Sequence, residues 1–120
     1  MAEIHVIFPE QGGVAINSNC KSVLKGEYVN WHIYCQVPGI KKVRLRFDSA
    51  HATFFPTGGN GNPTREVTKD VEDGSTIWGR APHYRSNFRR DKYSIQGLGL
   101  NGEVIAELDP EIITHDPKNG

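Results

Sequence analysis

Gly26-Glu27-Tyr28-Val29-Asn30-Trp31-His32-Ile33-Tyr34-Cys35-Gln36-Val37 is the stretch that decides the fold. Val29, Trp31, Ile33, Cys35 and Val37 fall on one face; Tyr28, Asn30, His32, Tyr34 and Gln36 fall on the other. That period of two belongs to a half-buried strand. The next segment repeats it, with Val43, Leu45 and Phe47 inward and Lys42, Arg44 and Arg46 outward. Shorter runs follow at Thr53-Phe54-Phe55, Glu66-Val67-Thr68, Ser75-Thr76-Ile77-Trp78, Tyr93-Ser94-Ile95-Gln96, Val104-Ile105-Ala106 and Ile112-Ile113-Thr114. Turn residues separate them: Pro38-Gly39, the glycine- and asparagine-rich 58–63 stretch, Asp73-Gly74 and Asn101-Gly102. An Asn-Gly pair between strand-like runs predicts a tight hairpin in which both central residues take positive φ. No eleven-residue window carries a capped helical period, although Asp70 to Gly74 has room for a single turn. About eight short strands with turn signals every 8–12 residues predict an all-β, antiparallel sandwich or barrel.

Composition agrees with one folded domain over residues 1–120. Hydrophobic residues make up 37%, charged residues 23%, and 14 cations balance 14 carboxylates. A chain of this length buries roughly two-thirds of its unfolded surface, enough for one core. These values exclude a disordered polyelectrolyte, a disulfide-dense mini-protein and a globally basic nucleic-acid binder. No apolar run approaches the ~18 residues of a membrane span. Met1-Ala2-Glu3 leads directly into Ile4-His5-Val6-Ile7-Phe8 without a basic segment, so a cytoplasmic location is expected unless a leader has been removed. Cys20 and Cys35 read as small hydrophobes, with a disulfide between neighbouring strands as the alternative.

Catalytic constellations are not evident in the pattern. There is no G-x-S-x-G elbow, and Ser49 two residues before His51 is a same-parity spacing that does not make a triad. Cys35 and His32 alternate onto opposite faces. Asp70, Glu72 and Asp73 precede Gly74 without the register of a calcium loop, so they read as an acidic turn. The 58–63 stretch lacks a following Lys-Ser/Thr and a helix, which leaves a hairpin loop rather than a phosphate cradle. The five histidines show no H-x-H or H-x3-H spacing.

The basic, aromatic-laced segment from Arg80 to Tyr93 departs most from this plain background. Arg80, Arg85, Arg89, Arg90 and Lys92 accompany Tyr84, Phe88 and Tyr93, against Asp91 alone. Guanidinium forks pair with carboxylates or phosphates, and rings offer stacking surfaces, so the composition suits an anionic or protein partner. Arg44 and Arg46 extend this patch if their strand lies alongside. The plainer reading is a solvated, internally paired loop linking two strands, its arginines matched by the acidic closing segment. That segment carries Glu103, Glu107, Asp109, Glu111 and Asp116 against Lys118 alone. The two blocks face each other within one molecule or meet between molecules, which makes a homo-oligomer a further expectation. Nucleic acid is the less favoured partner, since the chain has no net positive charge.

Two stretches carry a resemblance. Gly26-Glu27-Tyr28-Val29-Asn30-Trp31 resembles the G-x-x-V-x-W strand of cupredoxin-like sandwiches. Tyr93-Ser94-Ile95 followed by Leu108-Asp109-Pro110-Glu111-Ile112-Ile113 resembles the closing strands of bacterial proteins with that fold, where an aromatic strand leads into an L-D-P-x-I-I edge. The resemblance implies a Greek-key β-sandwich, cupredoxin-like or immunoglobulin-like, of about seven to nine strands. It does not bring blue copper with it. Such sites use two histidines, a cysteine thiolate and usually an axial methionine. The region Tyr93–Leu108, where three of those ligands would fall, has no Cys, His or Met. His51 stands roughly where a first histidine ligand would lie, without partners in sequence.

Two functional expectations follow. The first is a small, soluble, non-enzymatic binding module that contacts an anionic or protein partner through Arg44, Arg46, Arg80, Tyr84, Arg85, Arg89, Arg90 and Lys92, with no cofactor. The alternative is a copper- or zinc-binding protein that uses His32, His51, His83 or His115, with Cys35 as a further ligand.

Overall fold

Alternating burial marks the longer strands. The computed structural model describes residues 1–56, 62–71 and 75–117. Among these it forms ten strands and no helix: β1 (Ala2–Phe8), β2 (Ala15–Ile16), β3 (Cys20–Leu24), β4 (Tyr28–Cys35), β5 (Lys42–Phe47), β6 (Glu66–Asp70), β7 (Ser75–Arg80), β8 (Phe88–Leu98), β9 (Val104–Leu108) and β10 (Glu111–His115). Among the described residues no helix is long and apolar enough to cross a membrane. A four-stranded sheet runs β2-β1-β4-β7, and a six-stranded sheet runs β3-β10-β8-β5-β6 with β9 also on β8. The two pack as a β-sandwich over one core, built from Ile4, Val6, Phe8, Val29, Trp31, Ile33, Val43, Leu45, Phe47, Ile77, Tyr93, Ile95 and Ile112 among others.

The sheets are mixed rather than purely antiparallel, which corrects the sequence expectation. β1 pairs with β4 in parallel over Ala2↔Val29 to Phe8↔Cys35, and β3 pairs with β10 in parallel over Cys20↔Glu111 to Leu24↔His115. Alternation assigns faces but says nothing of strand direction, so neither pairing is readable from periodicity. Three strands also escaped the pattern. In β1, Ala2, Ile4, Val6 and Phe8 are buried while Ile7 points outward, so the apolar run hides its alternation. The two-residue β2 is too short for a period, and β3 buries only Val23. Conversely, Thr53-Phe54-Phe55 is not a strand; Phe55 makes only an isolated bridge with Thr64. The expected turn at 70–74 begins inside β6, and its residues 72–74 lie outside the described set.

The Asn101-Gly102 hairpin joins β8 to β9 as expected, but with a different turn. Gly99 N–H donates to the Glu103 carbonyl (2.8 Å) and Gly102 N–H to the Gly99 carbonyl (3.0 Å). Only Gly102 has positive φ (82°); Asn101 does not. A three-residue loop with a glycine closing the turn replaces the two-residue type I′ geometry. Further on, β9 and β10 together cover one edge of β8, with β9 opposite Ile95–Leu98 and β10 opposite Phe88–Lys92. The break between them falls at Pro110, which has no N–H to donate; its carbonyl instead accepts from Tyr93 N–H (3.0 Å). Cys20 and Cys35 are free and sit on different sheets, so the disulfide alternative is not realised.

Aromatic rings bridge the two layers. Trp31 of β4 meets Tyr93 of β8 edge-on at 5.9 Å and Phe55 at 5.5 Å, while Phe47 stacks on Phe54 at 4.2 Å and on Tyr93 at 4.9 Å. The Trp31 indole N–H donates to the Tyr93 hydroxyl at 3.2 Å, with both residues buried. Replacing Tyr93 by Phe keeps the ring but leaves that indole donor unpaired, an expected loss of about 1–3 kcal/mol. Urea unfolding of Tyr93→Phe checks this: the midpoint should fall while the slope, which reports exposed area, stays unchanged.

Candidate functional site

The residues singled out in sequence separate into three places. β8 runs from Phe88 to Leu98, so Arg89, Arg90 and Lys92 lie in a strand and not in the loop expected of the basic segment. β5 pairs with β8 in the register Arg44↔Gln96 and Arg46↔Ser94, which puts Arg44, Arg46, Arg90 and Lys92 on the outer face of the six-stranded sheet. Each arginine there has a partner. Arg44 Nε donates to Gln96 Oε1 (2.7 Å), Arg46 pairs with Glu66 (3.4 Å) and Arg90 with Glu111 (3.5 Å). Lys92 lies opposite Glu111 in the register. The acidic closing segment thus faces the basic block within one molecule, because β10 is hydrogen-bonded to β8. Exposed pairs of this kind each contribute about 0–1 kcal/mol.

Tyr84 and Arg89 form a second group around Asp91, which is only 3% exposed. Arg89 Nε reaches Asp91 Oδ1 at 3.1 Å, its Nη2 donates to Ser49 Oγ at 2.7 Å, and its guanidinium lies 4.6 Å from the Tyr84 ring centroid. The Tyr84 hydroxyl donates to Asp91 Oδ2 at 2.8 Å. The buried carboxylate is therefore paired and hydrogen-bonded, the condition under which such a group is tolerated. This network ties the segment before β8 to the turn after β5. Thr114, opposite Arg89 in the register, buries a hydroxyl with no partner among the described residues. Arg85 is exposed in the intervening 81–87 segment.

Arg80 belongs to a third place that sequence spacing did not reveal. The outer face of the four-stranded sheet carries rings where the other sheet carries charges. Tyr28 is 45% exposed and Trp78 46%, and their rings lie 5.9 Å apart. They line a groove of about 470 Å³ together with Pro56, Pro63, Pro82 and Thr53, and with Arg80, His83, Phe54 and Ala81. A second hollow of about 360 Å³ adjoins it, sharing Tyr28 and Trp78 and adding Asn30 and Met1. β4 and β7 are antiparallel neighbours with Tyr28↔Arg80 and Asn30↔Trp78 in register, which is why residues fifty positions apart meet here. Further along the same face, His5 stacks on His32 at 4.8 Å, and Tyr34 stacks on His5 at 6.0 Å. His32 Nε2 pairs with Glu3, and that hydrogen bond holds the Glu3 carboxyl below the usual carboxylate range.

Backbone bonds lock the Arg80 wall in place. Gly26 N–H donates to the Ala81 carbonyl and Ala81 N–H to the Glu27 carbonyl, each at 2.9 Å, and Arg80 N–H donates to the Phe54 carbonyl at 2.7 Å. Arg80 Nε donates to the Gly26 carbonyl at 2.9 Å, with the guanidinium 5.2 Å from the Tyr28 ring centroid. Gly26 has a φ of 76°, and a Cβ there would stand 2.6 Å from His83 Cε1. Only glycine allows both the turn and the close approach of the imidazole.

The four histidines of the metal alternative do not share an element. His32 is on β4, His51 in the turn after β5, His83 beside Gly26, and His115 ends β10 with Nδ1 on the Asp116 carbonyl (2.9 Å). Among the described residues no three His, Cys, Asp or Glu side chains are grouped as metal ligands. The histidine nearest His32 is His5, which its spacing had not marked. Comparison with family models and with curated proteins returns no match for this chain.

Two outcomes test this geometry. Burial, and then the hydrogen bond and charge of Asp91, push the Tyr84 phenol well above its ordinary value; burial does the same for Tyr93. The unfolded chain ionises these phenols near pH 10 while the folded chain holds them neutral, so their stabilising contribution is complete below about pH 10 and declines above it. Thermal midpoints measured from pH 8 to 11 should fall beyond pH 10, and Tyr84→Phe should make that fall shallower. Gly26→Ala forces a left-handed backbone on an L-residue at a cost of about 1–2 kcal/mol. The same change displaces the His83 ring, so the His83 imidazole NMR signals should move while those of His51 stay in place.

Proposed function

We propose that this chain is a non-enzymatic interaction module that binds a protein partner on the outer face of the four-stranded sheet, at the groove between Tyr28, Trp78 and the Arg80–His83 segment. The observation that carries this reading is the pair of half-exposed rings, Tyr28 and Trp78, shared by two adjoining hollows. Rings left in water at the mouth of a concavity, with polar groups around them, are characteristic of surfaces that become buried on association. Trp, Tyr and Arg are also the residues that most often dominate binding energy. The basic segment keeps a part in this reading, but through Arg80 and His83 rather than through its whole length. Arg44, Arg46, Arg89 and Arg90 already have partners within the molecule, which lowers what they offer another chain.

A photo-reactive amino acid installed in turn at Trp78 and at Arg46 tests this in the cells that make the protein. A discrete cross-linked partner is expected from position 78, lost when Tyr28→Ser is added. Adducts from position 46 alone, or from neither position, would overturn the proposal.

A further inference from the structure

The groove has an electrostatic asymmetry that points to what it takes. Ten of the described residues line it, and none of them is an aspartate or glutamate. Two are nitrogen bases, Arg80 and His83, both held against Gly26. Arg80 spends Nε on the Gly26 carbonyl, and its two terminal nitrogens have no hydrogen-bond or ion-pair partner among the described residues. Its plane is fixed by that bond and by the Tyr28 ring. A guanidinium fork whose orientation is already set and whose outer donors are unused matches the two oxygens of a carboxylate. Every other arginine discussed above, Arg85 excepted, already has its acid or amide.

Apart from Thr53, the remaining walls are mainly apolar, led by Pro56, Pro63 and Pro82 with the rings of Tyr28 and Trp78. The occupant therefore needs an apolar or aromatic group beside its carboxylate. The adjoining hollow continues past Tyr28 and Trp78 toward Asn30, so the occupant is longer than one side chain.

We infer that the groove recognises an extended peptide segment of the partner in which an acidic side chain, paired with Arg80, lies two positions from an aromatic one resting on Trp78 and Tyr28. In an extended chain, residues two apart project to the same side, which lets both reach the groove together. This inference rests on the interaction-module reading and adds the chemistry of the bound segment.

The test uses two blocked pentapeptides, acetyl-Ala-Glu-Ala-Phe-Ala-amide and its Gln counterpart, titrated into the full chain. The protein has two tryptophans, and only Trp78 is exposed, so its indole N–H NMR signal separates groove binding from effects on the buried Trp31. The Glu peptide should shift the Trp78 signal saturably and leave Trp31 unmoved. The Gln peptide should bind at least tenfold more weakly. Arg80→Lys should lose a similar factor for the Glu peptide only, because an ammonium cannot form the fork, while Lys69→Ala leaves binding unchanged. N-acetylphenylalanine, with its carboxylate at the chain end, separates a terminal from an internal acid and should bind more weakly than the Glu peptide. Equal binding of the Glu and Gln peptides would overturn the carboxylate inference and leave the groove as an apolar docking site. No shift at Trp78 with any probe would overturn both.

Discussion

Trp31 sits where the two sheets meet, and the rest of the sandwich depends on how its ring is held. Its indole N–H is satisfied by the Tyr93 hydroxyl, and its ring meets Tyr93 edge-on and Phe55 at a tilt, with Phe47 and Phe54 stacked behind. Fully burying a ring of this size is worth about 1.5–3 kcal/mol, and ring pairs in such geometry add about 0.5–1.5 kcal/mol each. The cluster joins β4, β5 and β8 with the 54–55 segment. Contacts between residues so far apart in sequence are costly to close, and this concentrated burial offsets the cost.

The same cluster sets the outer groove. Phe54 faces the core with its ring, and its carbonyl takes the Arg80 N–H, so the segment that closes the core also holds the end of β7. From there Ala81 zips onto the Gly26–Glu27 turn, and Arg80 and His83 come to rest against Gly26. Core packing and groove geometry are thus mechanically linked through one peptide unit. The Asp91 network holds the far end of the 81–87 segment, leaving little freedom in how His83 is presented.

The two outer faces solve the problem of facing water in different ways. The six-stranded sheet uses cations interleaved with acids, and Arg46–Glu66 and Arg90–Glu111 pair across neighbouring strands. The four-stranded sheet leaves Tyr28, Tyr34 and Trp78 half-exposed, with stacked His5 and His32 between them. The basic segment attracts notice in sequence because five cations lie close together, yet proximity along a chain does not measure availability in space. Arg89 is consumed by a buried carboxylate two residues away, and Arg80 is left with unused donors by a neighbour fifty-four residues distant.

Alternation in residues 28–37 and 42–47 was enough to define an all-β fold, to name most of the core, and to orient Trp31 and Phe47 inward. Side-chain facing follows from the pleat alone, which is a local property of each strand. The parallel pairing of β1 with β4 and of β3 with β10 was decided only by tertiary structure, since any amphipathic strand can pair in either direction. The groove is of the same kind. Arg80 and His83 stand out in sequence for other reasons and Tyr28 and Trp78 for none, and only the β4–β7 register and the bare α-carbon of Gly26 bring the four together. Sequence specified which side of each strand meets water; the strand neighbours, set by burying the whole core at once, specified what those wet sides form.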